Sequence, residues 1–235
     1  MSAASGRDIE DDIELVEASH RALDASLADL DDTAARRPTR LPRWSVGHVL
    51  AHIARNADSF VRVLDAAGEG RVGVQYPGGT ASRDADIESG SGRPADALRA
   101  DVAQASRRLE SALRATAADT WATGRALRSG IEVPVHQLPL RRLQEVEIHR
   151  VDLGLGYEAS DWDERYVTRQ LELLLPALGS RLAPGMAVDL RVVGRPPESH
   201  GAGDDRRTVS GSSRAILCWL VGRSDDDGLP PLGPW

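Results

Sequence analysis

The chain has 235 residues, 41% of them hydrophobic, and a formal net charge of -7. That length supports one sizeable core with a smaller appendage, and an acidic balance without any basic run interleaved with aromatics excludes the electrostatic footprint of a nucleic-acid binder. No apolar stretch reaches the roughly 18 residues of a membrane span, and the polar start MSAASGRDIEDDIE lacks a signal-peptide core, so a cytoplasmic protein without nucleic-acid or membrane partners is expected.

In chain order, Ile9, Ile13, Val16, Leu23, Leu27 and Leu30 fall at near-helical spacing and predict a first amphipathic helix over 8–31. Pro38 and Pro42 break that pattern. Ser45 is a candidate N-cap for a second helix reaching about Ala67, with Val46, Val49, Leu50, Ile53, Ala57, Val61 and Leu64 inward. Residues 68–93, rich in Gly, Ser and Asp, read as a long loop, and loops of that length are more often lids or flaps than inert filler. Within it GEGRVG matches GxGxxG in letters, but it follows a helix and opens no βαβ unit, so a dinucleotide site fails its context test.

Pro94 and Ala95 open a third helix through about Ala118, with Leu98, Val102, Leu109 and Leu113 inside. Residues 125–136 read as a short hairpin around Ser129 and Gly130. A fourth helix starts at Leu138 and ends near Gly154 or Gly156, and a fifth, dense in leucine, covers 163–182. After Pro184 the pattern changes: 187–194 and 206–212 alternate like strands, and 212–223 returns to helical periodicity. The segment RPPESHGAGDD between the two strands is turn-rich, and the tail to Trp235 is punctuated by Pro and Gly. The expectation is a mainly α protein, with a helical domain over 1–183 and a small C-terminal α/β domain over 184–235.

Two of these helices carry metal-ligand side chains at helical spacing. His48 and His52 are four residues apart on the second helix, as are Glu145 and His149 on the fourth, so each pair shares one face of its helix. Either pair alone is commonly a plain surface or helix-stabilising contact. Together they let two helices of a bundle aim imidazoles and a carboxylate at one point in the core. Two histidines and one glutamate would make an open tetrahedral zinc site with its fourth position left to water or substrate. HVLAH is not a zincin motif, because Val49 stands where HExxH needs its glutamate base.

The sequence contains no lysine, so all 29 basic residues are arginine. Schiff-base chemistry, a PLP lysine and a P-loop lysine are thereby excluded, and any cationic catalytic group must be an arginine. The single cysteine, Cys218, sits in the apolar run AILCWLV and reads as a small buried hydrophobe, not a nucleophile.

WSVGHVLAHIARNAD, QEVEIHRVDLG and VSGSSRAILCWLVGR resemble the three signature regions of the mycothiol-dependent maleylpyruvate isomerase family, within the DinB/YfiT-like metal-dependent bundles, and the resemblance spans nearly the whole chain. It implies an N-terminal DinB-like four-helix bundle that holds Zn2+ or another divalent metal, with a smaller C-terminal domain closing over it. The ligands implied are His52, Glu145 and His149 with a water, whereas His48 matches a motif histidine that is not a ligand. Arg223 in LVGR matches an active-site arginine, and Glu147 stands where the family's isomerase has an aromatic residue. The activity implied is conversion of maleylpyruvate to fumarylpyruvate in gentisate degradation, with mycothiol as thiol cosubstrate; a monomer or weak homo-oligomer is expected. A cis double bond does not rotate; thiolate addition turns it into a single bond that can rotate before the thiol leaves. A mycothiol S-transferase acting on another electrophile, and a non-catalytic metal-binding bundle, are the other two readings. An open three-ligand site weighs against the last, since structural zinc is normally closed by four protein ligands.

Overall fold

The computed structural model describes residues 6–128 and 130–233. The chain divides into two compact units, Met1–Tyr157 and Glu158–Trp235. The first contains α1 (Gly6–Ser26), α2 (Asp32–Ala35), α3 (Val46–Gly68), β1 (Gly73–Val74), α4 (Gly79–Ser91), α5 (Ala95–Ala115), α6 (Ala118–Thr123), β2 (Arg125–Arg128), β3 (Ile131–Pro134) and α7 (Leu138–Asp152). The second contains α8 (Glu164–Leu174), α9 (Leu178–Arg181), β4 (Met186–Val192), β5 (Glu198–Gly201), β6 (Asp205–Gly211) and α10 (Ser213–Leu220).

The expected mainly α architecture with a small α/β part is what the structure has. In the first unit α1, α3, α5 and α7 pack as a four-helix bundle: α3 lies against α5 and α7, and α1 against the same two. The apolar stripes read from the sequence face inward, with Val16, Leu23, Leu27, Val49, Leu50, Ile53, Leu98 and Leu109 all buried. A small sheet of order β1-β2-β3 lies beside the helices, with β1 parallel to β2 and β2 antiparallel to β3. That antiparallel pair is the expected hairpin, although Ser129 at its turn lies outside the described residues.

Residues 68–93 are not one long loop, because β1 and α4 lie within them. The sequence hides α4: of its 13 residues only Ile87 and Ser91 are buried, so there is no apolar stripe to read. Contacts with polar and small residues hold it instead. Arg36 donates to the carbonyls of Ser91, Gly92 and Arg93 at its C-terminus, at 2.7 to 3.1 Å. Its backbone reaches α3 at Gly47, where a Cβ would sit 2.3 Å from the Ser91 carbonyl oxygen. The third helix stops at Ala115, earlier than expected, and α6 follows as a separate short helix.

The expected fifth helix is broken. Pro176 cannot donate the backbone hydrogen bond a continuing helix needs, and a 3-10 turn at Leu175–Ala177 separates α8 from α9. The expected boundary at 183/184 falls inside the second unit, since α8 finds its partners there. Trp162 and Tyr166 are buried edge to face with centroids 5.5 Å apart, and Arg214 of α10 donates to the Trp162 carbonyl at 2.8 Å and to Glu164 at 2.7 Å. What changes near Pro184 is the type of element, helix to strand. The second sheet has the order β5-β4-β6, with β4 antiparallel to β5 and parallel to β6. β5 was hidden in the turn-rich segment because ESHG has no apolar alternation. The connection from β5 to β6 crosses the start of β4 so closely that a Cβ on Gly203 would lie 1.7 Å from the Gly185 carbonyl oxygen. Trp235 at the end of the tail lies outside the described residues.

Candidate metal centre

α3 begins with a capping box. Ser45 accepts from the His48 amide at 3.4 Å, and the Ser45 amide donates to His48 Nδ1 at 3.2 Å. His48 is therefore committed at its Nδ1 to the start of the helix, while its Nε2 lies 3.2 Å from Glu88 of α4. One turn further on, His52 is buried and points toward α7.

On α7 nearly every residue is buried, including Glu145 and His149. The Nε2 of His52 donates to Glu145 Oε2 at 2.9 Å, and His149 Nε2 lies 3.5 Å from the same oxygen. The two imidazoles meet edge to face with centroids 4.7 Å apart. His52, Glu145 and His149 each offer a ligand atom, and these atoms lie within 4.8 Å of one another. Ligands of a tetrahedral site with bonds of about 2.0–2.1 Å stand about 3.3 Å apart, so the triad fits a divalent ion with little adjustment.

The neighbours of the triad fix the orientation of its rings. Asp152, fully buried, accepts from His149 Nδ1 at 2.8 Å, which fixes the orientation of the ring with its Nε2 toward Glu145. Arg83 of α4 donates to His52 Nδ1 at 3.2 Å. Trp44 covers the outer side of His52, with ring centroids 5.5 Å apart.

Electrostatics follow from this burial and pairing. Burial pushes the His52 pKa down to about 4, against the hydrogen bond to Glu145, so the ring is neutral at pH 7. Burial alone would raise Glu145, but hydrogen bonds from His149 and His52 hold it well below the usual carboxylate range. Burial alone would lower His149, but Asp152 and Glu145 raise it. Neutral His52 and ionised Glu145 are in the protonation states a divalent metal needs, whereas His149, favoured in its charged form, would release a proton on binding one.

The structure thus gathers His52, Glu145 and His149 and leaves His48 to the helix cap. Glu147, two residues from Glu145 and so on the far side of α7, faces α1 and accepts from Ser19, Tyr157 and, at 3.1 Å, Arg150. Arg223 lies in the second unit, just past α10. There the Arg223 amide donates to the Cys218 carbonyl at 2.7 Å and the Gly222 amide to Trp219 at 3.1 Å, with Gly222 at φ 67°, a Schellman cap that fixes its backbone. Its guanidinium donates to the Val221 carbonyl at 3.0 Å. Cys218 is half-buried, and burial raises its thiol pKa, which keeps it protonated and unreactive. Sequence reasoning does not reach Asp152 or Trp44 beside the triad, nor Arg83, because the helix presenting Arg83 has no apolar stripe to read.

Comparison with known families bears on residues 16–154, which match the profile described as the mycothiol maleylpyruvate isomerase N-terminal domain. The chain belongs to this family. The matched region carries the whole triad. Among solved structures the chain is similar to the crystal structure of the mycothiol-dependent maleylpyruvate isomerase, with a TM-score of 0.84 and 26% identity over 97% of each chain. The same values hold for a histidine-to-alanine mutant of that isomerase. No curated protein matches the sequence significantly. In family and in fold over both units, the chain is an isomerase-like enzyme. Among the described residues no helix is long and apolar enough to cross a membrane.

Proposed function

We propose that the chain is a zinc- and mycothiol-dependent cis-trans isomerase that converts maleylpyruvate to fumarylpyruvate. The observation that carries this reading is the buried His52, Glu145 and His149 triad, with His149 oriented by Asp152, in a member of this family. A divalent metal held there, zinc in this reading, supplies a Lewis-acidic position at which a thiol ionises at neutral pH.

The chain's own residues do the rest. Asp152 keeps the proton of His149 on Nδ1, so Nε2 stays a ligand. Glu145 contributes the negative charge, and the burial of all three side chains shields them from bulk solvent. The mycothiol thiolate adds to one alkene carbon and the displaced π electrons move onto the conjugated carbonyl as an enolate. The resulting single bond rotates, and the enolate re-forms the double bond as trans while expelling the thiolate. Arg223 is proposed to stabilise that enolate or a substrate carboxylate, since the sequence has no lysine to do so.

The deciding experiment is an ultraviolet assay of purified protein with maleylpyruvate. Formation of the trans product only when both metal and mycothiol are present is expected. Thiol-independent turnover would overturn the mechanism, and accumulation of a stable mycothiol conjugate would make the protein an S-transferase. For Arg223→Lys, which keeps the charge but loses the planar fork, turnover should fall about a hundredfold with metal content unchanged. Wild-type turnover in that variant would leave Arg223 as no more than a capping residue of α10.

A further inference from the structure

Beside the triad, on the α4 side of α3, lies a cavity of about 370 Å³ whose charged lining is Arg55, Arg62, Arg83, Arg93, Asp58 and Asp86. Four guanidiniums facing two carboxylates is an unusual lining in a protein of net charge -7. Their partners divide them into two pairs. Arg55 and Arg93 share Asp101, at 2.7 and 2.5 Å, and Arg55 also reaches Asp58. Arg62 donates only to the Gln75 carbonyl among the described residues, at 3.3 Å. Arg83 pairs with its exposed neighbour Asp84 and donates to His52. Among the described residues Arg62 thus has no carboxylate partner, and that of Arg83 is the exposed Asp84, which does not line the cavity.

The bond from Arg83 to His52 ties this cavity to the metal centre. Arginine can only donate, so His52 Nδ1 must accept and the ring's proton sits on Nε2, as its bond to Glu145 also requires. A metal at Nε2 needs the lone pair on that nitrogen, which moves the ring proton to Nδ1 and sets N–H against N–H at Arg83. The Arg83 contact and a metal bond at His52 Nε2 are therefore mutually exclusive. Resting on the function proposed above, we infer that this arginine-lined cavity binds a carboxylate group of the substrate, and that metal loading frees Arg83 from His52 to grip it together with Arg62. A planar guanidinium fork matches a carboxylate bidentately, and the cavity's size suits a small dicarboxylate.

The test uses maleate as the probe, titrated calorimetrically into zinc-loaded protein with no thiol present, so that turnover is not needed. Wild type binds maleate, and Arg83→Gln and Arg62→Gln each weaken it by about tenfold. Zinc affinity, measured by chelator competition, rises in Arg83→Gln, whose amide oxygen can accept the Nδ1 proton, and is unchanged in Arg62→Gln. A damaged fold would weaken both ligands together, whereas the inference requires opposite shifts in Arg83→Gln. It is overturned if wild type does not bind maleate, if Arg83→Gln binds maleate as wild type does, or if that variant loses zinc affinity. Maleate binding through Arg83 in a protein that fails to isomerise maleylpyruvate would sink the proposed reaction and leave this site standing.

Discussion

Two glutamates on α7, separated by a single residue, have opposite fates. Glu145 faces α3 and Glu147 faces α1, and both are buried among hydrogen-bond donors. The partners of Glu147 are a serine hydroxyl, a tyrosine hydroxyl and the guanidinium of Arg150, which also lies 3.6 Å from the centroid of the Tyr157 ring. Arginine does not give up its proton, and the hydroxyls give theirs up only at high pH, so these donors offer no ready metal ligand. The partners of Glu145 include two imidazoles, whose ring nitrogens present lone pairs once they carry no proton. Whether a buried carboxylate is structural or can take a metal is decided here by whether its donors can become ligands.

Breaking the Glu145 side has the largest effect. The purified protein should carry about one divalent ion per chain, and His52→Ala, Glu145→Ala and His149→Ala should each lose it, as elemental analysis would show. Retention of full metal content in His149→Ala would refute the ligand set. Breaking the Glu147 side should leave metal content intact and cost stability instead. Glu147→Ala strands the buried guanidinium of Arg150, a loss of about 3–5 kcal/mol in urea unfolding; a variant that instead sheds its metal and stays as stable would reverse the roles of the two faces.

A smaller effect on the α1 side comes from pH. His20, in contact with Glu110 at 2.7 Å and Arg142 at 3.0 Å, has its pKa pushed by burial from 6.5 to about 4. Above pH 6.5 the folded and unfolded chains bind the same number of protons at this residue. As pH falls from 6.5 towards 4 the unfolded chain takes up a proton that the folded chain refuses, so stability drops, by on the order of 3 kcal/mol, and levels off below 4. The difference in unfolding free energy between pH 7 and pH 4.5 should be clearly smaller in His20→Gln than in wild type; equal differences would remove His20 from the account. Smallest of all, His48→Ala should keep its metal and lose about 1 kcal/mol, the worth of a helix cap. Metal loss in His48→Ala equal to that in His52→Ala would make His48 a ligand as well.

The triad was legible because helical periodicity is a strong signal: the i,i+4 spacing in HVLAH and EVEIH is fixed by 3.6 residues per turn. Spacing alone could not separate His48 from His52, since what distinguishes them is a cap bond at Ser45. Spacing does put Glu147 on the opposite face from Glu145, but on a helix buried all round it could not show which neighbours that face meets. Arg83 was out of reach for a different reason. Its helix is held by Arg36 and by close approach at Gly47, and neither leaves a period in the sequence. The bundle helices, whose stability comes from apolar stripes, could be read; α4 and β5, held by polar contacts and by neighbouring strands, could not.

Asp152 does more than orient His149. While its carboxylate accepts from that imidazole, its main-chain carbonyl accepts from the Arg40 amide at 3.2 Å, in the segment that leads to Ser45 and the start of α3. One residue thus clamps the end of the glutamate-bearing helix to the run-in of the helix that bears His52. This main-chain staple adds to the packing of the bundle in holding the two ligand-bearing helices at a fixed width, as a gauge block holds a vice. An ion too large for that width would have to bend two packed helices, and selectivity by size would come from the fold instead of from the ligand atoms.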